Sequence, residues 1–384
     1  MSNMYAGLRR AFGPDDGESA RRCADRLIKL RAALDGLKKR KSDASLLLAT
    51  WNIRDFDSNK FGFGPRLPES FYYIAEIISC FDLVAVQEVN RDLSALDRVM
   101  DILGRDWDYI ATDTTEGSGG NGERMAFVFN REKVFFRKVA GEIVLPQGQL
   151  IVSPETVAAS KPGEGPPIDA PPPAEHGQQF ARSPFLVAFQ SGWFRFSLCT
   201  AHLYYGAEKG AALQRRINEI AGLVKFFAAR QDSASKMEKD RHGAVENYIV
   251  LGDFNVVSPE HETMKALKSN GFVVPAAIDG DKVRRLGDHF YDQIAVRVKD
   301  DRFKVVDGGI VHVYDMVFSD AEQDVYASRM PAKDKEIGKA MAVDKLYRKW
   351  RTWQMSDHNP LWVEIATDFS DQYLQAVADG KPAG

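Results

Sequence analysis

The chain has 384 residues, 44% hydrophobic and 11% aromatic, ample for a large core in one to three domains. A formal charge of -3 excludes a global positive field, although a local basic groove stays compatible with nucleic acid. Cys23, Cys80 and Cys199 are odd in number and lack metal-ligand spacing, against a disulfide framework, and no stretch has the make-up of a signal peptide or membrane span. A cytoplasmic protein without membrane contact is expected.

Glu18 to Lys41 opens the chain as a predicted helix, with Cys23, Leu27, Leu30, Leu34 and Leu37 forming a narrow apolar seam. Basic residues crowd its other faces and culminate in Lys38-Lys39-Arg40-Lys41. Three readings compete: packing along its own domain, a homodimer or protein partner through residues 18–41, and a nucleic-acid contact through the basic end. The helix dipole alone favours cations at that end.

Leu46–Trp51 reads as a strand ending in Asn52, Pro68–Ser79 as a helix, and Phe81–Glu88 as a buried strand. Leu93–Leu103 looks helical, and Trp107–Thr112 is a short strand before the glycine-rich turn Gly117–Gly122. Arg124 opens the strand Met125–Asn130, and Val134–Val139 follows as another. Residues 142–182 are rich in proline, glycine and alanine, and predict a flexible surface insertion rather than a proline-rich ligand. Phe185–Phe189 and Phe194–Thr200 pair around the turn Ser191-Gly192, and the second leads into His202. Ala211–Ala229 is a helix and Ser233–Gly243 a polar loop. Pro259–Ser269 is a further helix, and Tyr291–Val298 a strand with Asp292 at its start. Tyr314–Arg351 reads as a charged helical insertion, Leu361–Ile365 as the final strand, and the tail from Ser370 as frayed.

The centre of the chain is NYIVLGDFN, residues Asn247–Asn255. Tyr248–Leu251 suits a strand buried on both faces, and Gly252 lets the backbone turn so that Asp253 and Asn255 emerge where the strand meets solvent. Asn52, Glu88, His202, Asp292, Asp357 and His358 also sit at expected strand ends. Sheets flanked by helices bind ligands beyond their strand termini, so these residues can converge. Singly each has a plain alternative: Asn52 and Asp357 as caps, Glu88 as a surface acid, His202 as a hydrogen-bonded core residue.

As an ordered set they resemble a family. T-W-N-I-R at Thr50–Arg54, Q-E-V at Gln87–Val89, A-H-L at Ala201–Leu203, G-D-F-N at Gly252–Asn255, Y-D-Q-I at Tyr291–Ile294 and S-D-H-N-P at Ser356–Pro360 follow the order of the endonuclease/exonuclease/phosphatase superfamily. The resemblance implies an α/β fold, a four-layer α/β/β/α sandwich of two packed mixed β-sheets with helices outside, and Mg²⁺-dependent hydrolysis of a phosphoester, with Mn²⁺ as a substitute. The domain is expected over 45–367, with an N-terminal helical extension over 1–44, insertions at 142–182 and 315–351, and a tail over 368–384.

Phosphoester hydrolysis brings water onto an anionic phosphorus, and a hard cation on one or two carboxylates assists it. Glu88 is the leading metal ligand, with Asn52 holding the cluster and Asp357 as a second carboxylate. Asp253 suits orienting or deprotonating the water, and Asn255 suits donating to a phosphate oxygen. His358 paired with Asp292 is expected to be held charged. For His202 the resemblance places an acid near Asp113. Arg124 is a candidate phosphate contact or a surface arginine, and Tyr204 and Tyr205 line the cleft or pack.

Y-D-Q-I with S-D-H-N-P, and a histidine after the Phe194–Thr200 strand, look most like the deoxyribonuclease-I-like branch. A nuclease with little sequence preference is therefore expected, acting on nucleic acid, DNA before RNA. The alternative is a phosphatase or phosphodiesterase for a small phosphorylated molecule or lipid headgroup; Phe254 and Val256 depart from the G-D-L-N-Y-R pattern of the 5-phosphatases. Basic residues of the 315–351 insertion read as a solvated surface or a substrate-facing wall.

Overall fold

The apolar runs become strands of two sheets in the computed structural model, which describes residues 3–114, 122–152, 177–238, 246–280 and 289–381. The strands are β1 (Ser45–Phe56), β2 (Leu83–Val89), β3 (Trp107–Ala111), β4 (Arg124–Asn130), β5 (Phe135–Glu142), β6 (Phe185–Ser191), β7 (Phe194–His202), β8 (Tyr248–Asp253), β9 (Asp292–Arg297), β10 (Val305–Ile310) and β11 (Leu361–Ala366). One sheet has the order β10-β11-β1-β2-β4-β3 and the other β5-β6-β7-β8-β9. Both are mixed: β1 with β2 and β7 with β8 are parallel, and the other pairs antiparallel.

The helices used below are α1 (Gly17–Ala33), α2 (Pro68–Ile78), α3 (Ser94–Leu103), α4 (Gly210–Glu238), α5 (Glu262–Leu267), α6 (Val343–Gln354) and α7 (Ser370–Ala378). Side chains alternate across a strand, and β1 shows the partition. Leu46 and Leu48 enter the core between the sheets, while Leu47, Ala49 and Trp51 join α1, α2, α3 and α6 in a second core. On the other sheet, Ile220, Leu223, Val224 and Phe227 of α4 and Met264 and Leu267 of α5 extend the first core. The result is the expected four-layer α/β/β/α sandwich of two packed mixed sheets with helices outside.

The N-terminal seam is consumed inside the chain. Cys23, Leu27, Leu30 and Leu34 are buried in the second core and Leu37 packs against it. The basic end is committed as well. Lys38 pairs with Glu76, Arg40 with Glu364 and Asp307, and Lys41 with Asp82. This corrects the homodimer or partner reading of that seam and the nucleic-acid reading of its basic end. The helix packs along its own domain, and it breaks after Ala33 into a second turn, Asp35–Lys38.

Other expectations shift. β1 continues past Asn52, and β10, missed in the sequence, pairs with β11 at the sheet edge. Its Gly308 explains why it lacks a strand signature: a Cβ there would lie 2.8 Å from Ile278 and 2.9 Å from the Trp362 carbonyl, so packing admits no side chain. The β6–β7 turn is Gly192-Trp193, since Ser191 pairs with Phe194. α4 runs on through Ser233 to Glu238, correcting the expected loop there; the rest of that loop, 239–243, lies outside the described residues. Residues 315–351 are not one helical insertion. Short turns anchored by buried Val317, Phe318 and Tyr326 precede α6. The tail forms α7, its first N–H (Ser370) capped by Asp368 at 2.9 Å. The turn at 117–121 and the insertion's 153–176 lie outside the described residues, but the insertion's ends are not the expected flexible surface: Ile143, Leu145, Ile151 and Phe180 enter the first core, and Ile151 bridges to Gln178. Among the described residues no helix is long and apolar enough to cross a membrane.

Leu30→Ala should cost ~2–5 kcal/mol, as for other buried leucines. A urea unfolding curve measures it, and a loss below ~1 kcal/mol would mean that the seam is not core.

Candidate active site

Sheet register places the first three residues. His202 on β7 lies opposite Asp253 on β8, which lies opposite Asp292 on β9. Residues in one lateral row share a face, so the three side chains leave the sheet together. Gly252 makes this possible: its φ is +130°, and a Cβ would sit 2.1 Å from the Ala201 carbonyl oxygen. The other sheet supplies Asn52 and Glu88 from irregular backbone. Pairing of β1 with β2 shifts between Asn52 and Phe56, and of β2 with β4 between Val86 and Val89. Such bulges re-aim side chains, and Glu88 itself has φ 58°.

Asp253 is the meeting point. Its Oδ1 accepts the Asn255 N–H at 2.9 Å and its Oδ2 accepts Asn52 Nδ2–H at 3.2 Å. That same Oδ2 lies 3.8 Å from His202 Nε2 and 3.8 Å from His358 Nε2. A carboxylate backs each imidazole from behind: Asp292 Oδ2 is 2.7 Å from His358 Nδ1, and Glu123 Oε2 is 3.0 Å from His202 Nδ1. Asn52 Nδ2 also donates to Glu88 Oε1 at 3.0 Å, and Glu88 Oε2 accepts the Asp55 N–H at 2.9 Å.

The S-D-H-N-P segment is pinned to β1. Ser356 Oγ donates to the Asn52 carbonyl at 2.6 Å and accepts the His358 N–H at 3.0 Å, while Trp51 Nε1–H donates to the His358 carbonyl at 3.1 Å.

Both histidines bind protons more tightly than a free imidazole. For His358, burial opposes the charge, but Asp292, then Asp253 and Asp357, outweigh it, holding its pKa well above the usual value. For His202, burial and the nearby Arg182 charge oppose protonation, and Glu123 with Asp253 overcomes them to give a raised pKa.

The expected partner Asp113 is not the one used. Glu123 backs His202, whereas Asp113 points to Arg124 at 3.3 Å and is exposed. Nothing in the sequence separates the two acids. Arg124 is committed to the Thr112 carbonyl at 2.7 Å, the Arg91 carbonyl and Asp113, which corrects its reading as a phosphate contact. Asp357 is 42% exposed and pairs with Arg54 at 3.4 Å, so it does not join Asn52 and Glu88. Tyr204 packs beneath Arg215, at 4.6 Å. Tyr205 is the tyrosine that approaches: its ring lies 6.1 Å from Tyr291, which is 6.1 Å from His358. Asn255 lies beside Asp253 with φ 51°, and its Nδ2, expected to donate to a phosphate oxygen, donates instead to the Leu203 carbonyl at 2.9 Å.

Sequence reasoning also missed Arg216, fully buried, which donates to the Asn255, Tyr205 and Ala207 carbonyls and braces both loops under the site. A buried arginine has no sequence signature, and this one lies on a helix with other basic residues.

Among the described residues no group of three or more His, Cys, Asp or Glu side chains surrounds a metal position. The donor set still fits Mg²⁺. Asn52 Oδ1 is buried without a hydrogen-bond partner, and no lysine or arginine pairs with Glu88 among the described residues. One carboxylate and one amide oxygen are hard donors of the kind Mg²⁺ takes while keeping waters.

His358 loses its proton as pH rises through its raised pKa. Asp292→Asn removes the carboxylate that raises it, so any activity that needs charged His358 should decline from a lower pH in the variant. A pH–rate profile measures this, and an unmoved alkaline limb would exclude His358 as the charged group.

No family model matches the chain, and no curated protein matches its sequence. Solved structures similar to it include an endonuclease/exonuclease/phosphatase family protein from Bacteroides thetaiotaomicron, 18% identical, covering 84% of this chain and 95% of that one with a TM-score of 0.47. A mannosyl-6-phosphatase from the same organism is 18% identical, covers 84% and 99%, and scores 0.46. A humanized D. rerio TDP2 is 11% identical, covers 84% and 100%, and scores 0.48. The chain's own strands and helices form the two-sheet α/β/β/α sandwich that its motifs' resemblance to the endonuclease/exonuclease/phosphatase superfamily implies.

Proposed function

We propose that this chain is a metal-dependent phosphoester hydrolase of the endonuclease/exonuclease/phosphatase superfamily, and within it a nuclease cutting nucleic acid, DNA before RNA, with little sequence preference. One observation carries the reading: two carboxylate-backed imidazoles present their Nε2 atoms to the same Asp253 oxygen, 3.8 Å away in each case. Two cationic donors converging on a buried carboxylate suit an anion that brings its own water.

In this mechanism the scissile phosphate lies between His202 and His358, and both imidazolium N–H groups donate to its oxygens. Donors aimed where charge develops lower the barrier. Asp253 Oδ2 orients the attacking water and takes its proton as the new P–O bond forms. The ester P–O bond breaks on the opposite side, and the leaving oxygen takes a proton from His358. Asn255 fixes Asp253 through its backbone N–H. Glu88 and the Asn52 amide oxygen would hold Mg²⁺ or Mn²⁺, which would supply charge neutralisation at the phosphate.

The test sets supercoiled plasmid, single-stranded DNA, RNA and a soluble inositol phosphate side by side, with Mg²⁺, Mn²⁺ or EDTA. Metal-dependent nicking is expected, abolished by EDTA, with Glu88→Ala and His358→Ala each about 10²-fold slower or worse. Phosphate release from the inositol substrate with intact plasmid would replace the nuclease reading by the phosphatase one. Wild-type rates in either variant would remove that residue from the mechanism.

A further inference from the structure

The two histidine–carboxylate pairs are built differently. Asp292 is a strand residue, set by register opposite Asp253, so the sheet itself aims its carboxylate at His358. Glu123 has no such support: it precedes β4, outside any strand, and has a longer side chain. More rotatable bonds mean more entropy to lose in holding one orientation. Something else must fix it.

Arg182 is placed to do so. Its Nε lies 3.5 Å from Glu123 Oε2, the oxygen that backs His202. Its Nη1 donates to the His202 carbonyl at 3.2 Å and the Leu203 carbonyl at 3.4 Å. One rigid guanidinium therefore spans the carboxylate and the backbone of the histidine it supports. The chain on either side is anchored too. Glu219 of α4, fully buried, accepts the Ala181 N–H at 3.2 Å and the Tyr204 N–H at 3.3 Å, next to Arg182 and two residues after His202. Arg182 is only 12% exposed; its Nη1 makes the hydrogen bonds to the backbone, while its buried Nε meets Glu123 as an ion-pair contact without a hydrogen bond.

We propose that Arg182 is a positioning residue for the site, a clamp that fixes Glu123 to the His202 backbone and so holds the His202 imidazole facing Asp253. It acts through Glu123 rather than on the substrate. The inference rests on the proposed hydrolase reading for its kinetic consequence, but its structural content does not need turnover.

Arg182→Gln should lower kcat about 10–100-fold, as for loss of other partners that orient a site residue, with KM within about twofold of wild type. Arg182→Lys, which keeps charge but loses the fork, should recover part of the loss. In a Glu123→Gln background Arg182→Gln should add less than about threefold, because both substitutions break one unit. Independently of activity, the downfield Nδ1–H proton resonance of His202, assigned by its loss in His202→Ala, should shift or broaden in Arg182→Gln while that of His358 stays. Thermal melting controls for folding, and if Arg182→Gln does not fold, Arg182→Lys carries the cycle and the spectrum. A rise in KM with additive effects would overturn the proposal in favour of a direct substrate contact. An unchanged His202 resonance would overturn it as well. A wild-type protein inactive on every phosphoester, with the resonance moving as expected, would defeat the hydrolase reading and leave the clamp standing.

Discussion

The edge that carries the candidate site depends on one buried carboxylate. Asp253 is almost wholly removed from solvent, and an unpaired charge there would be very costly. It is compensated from both sheets: Asn52 reaches it from β1, the Asn255 N–H closes on it from its own loop, and His202 and His358 face it from either side. Asn52, His202 and His358 are in turn tied to Glu88, Glu123 and Asp292, so the cluster alternates donor and acceptor. Such networks repay burial only when nearly every member is satisfied. Asn52 Oδ1, the acceptor left over, sits on the residue that a bound cation would use.

The sandwich beneath is built to hold that edge rigid. Gln87 Nε2 crosses between the sheets to Thr200 Oγ1 at 2.8 Å and reaches Thr50 Oγ1 at 3.1 Å, a polar tie one residue before Glu88. Arg66, almost fully buried, donates to the Arg54, Asp55 and Met355 carbonyls and so binds the end of β1 to the segment before His358. Arg216 does the same for the loops carrying Tyr205 and Asn255. A guanidinium offers five donors in a fixed fork, which suits it to carbonyls that loops leave without partners.

How far the sequence carried depended on what kind of interaction made each feature. Strands with a period-two or continuous apolar run, such as Leu46–Trp51 and Tyr248–Leu251, were legible because burial on one or both faces writes a local pattern. The His358–Asp292 pair was legible because each residue lies in a motif. β10 was not, since its glycines answer to Ile278 and Trp362 rather than to any neighbour in sequence. The 315–351 segment looked helical from its charges, yet its aromatic anchors decide its path. Asp113 and Glu123 flank the glycine-rich stretch at 117–122 in sequence, and only the folded chain selects Glu123.

The fold class and the order of the six motifs were readable from the sequence alone, because strand periodicity and residue type are local properties. Tertiary structure alone decided which acid backs His202, that Asp357 turns to Arg54, and that the N-terminal seam is spent on the core. Those outcomes are contests between side chains far apart in the chain. Distance and burial settle them, and neither is written in any one segment.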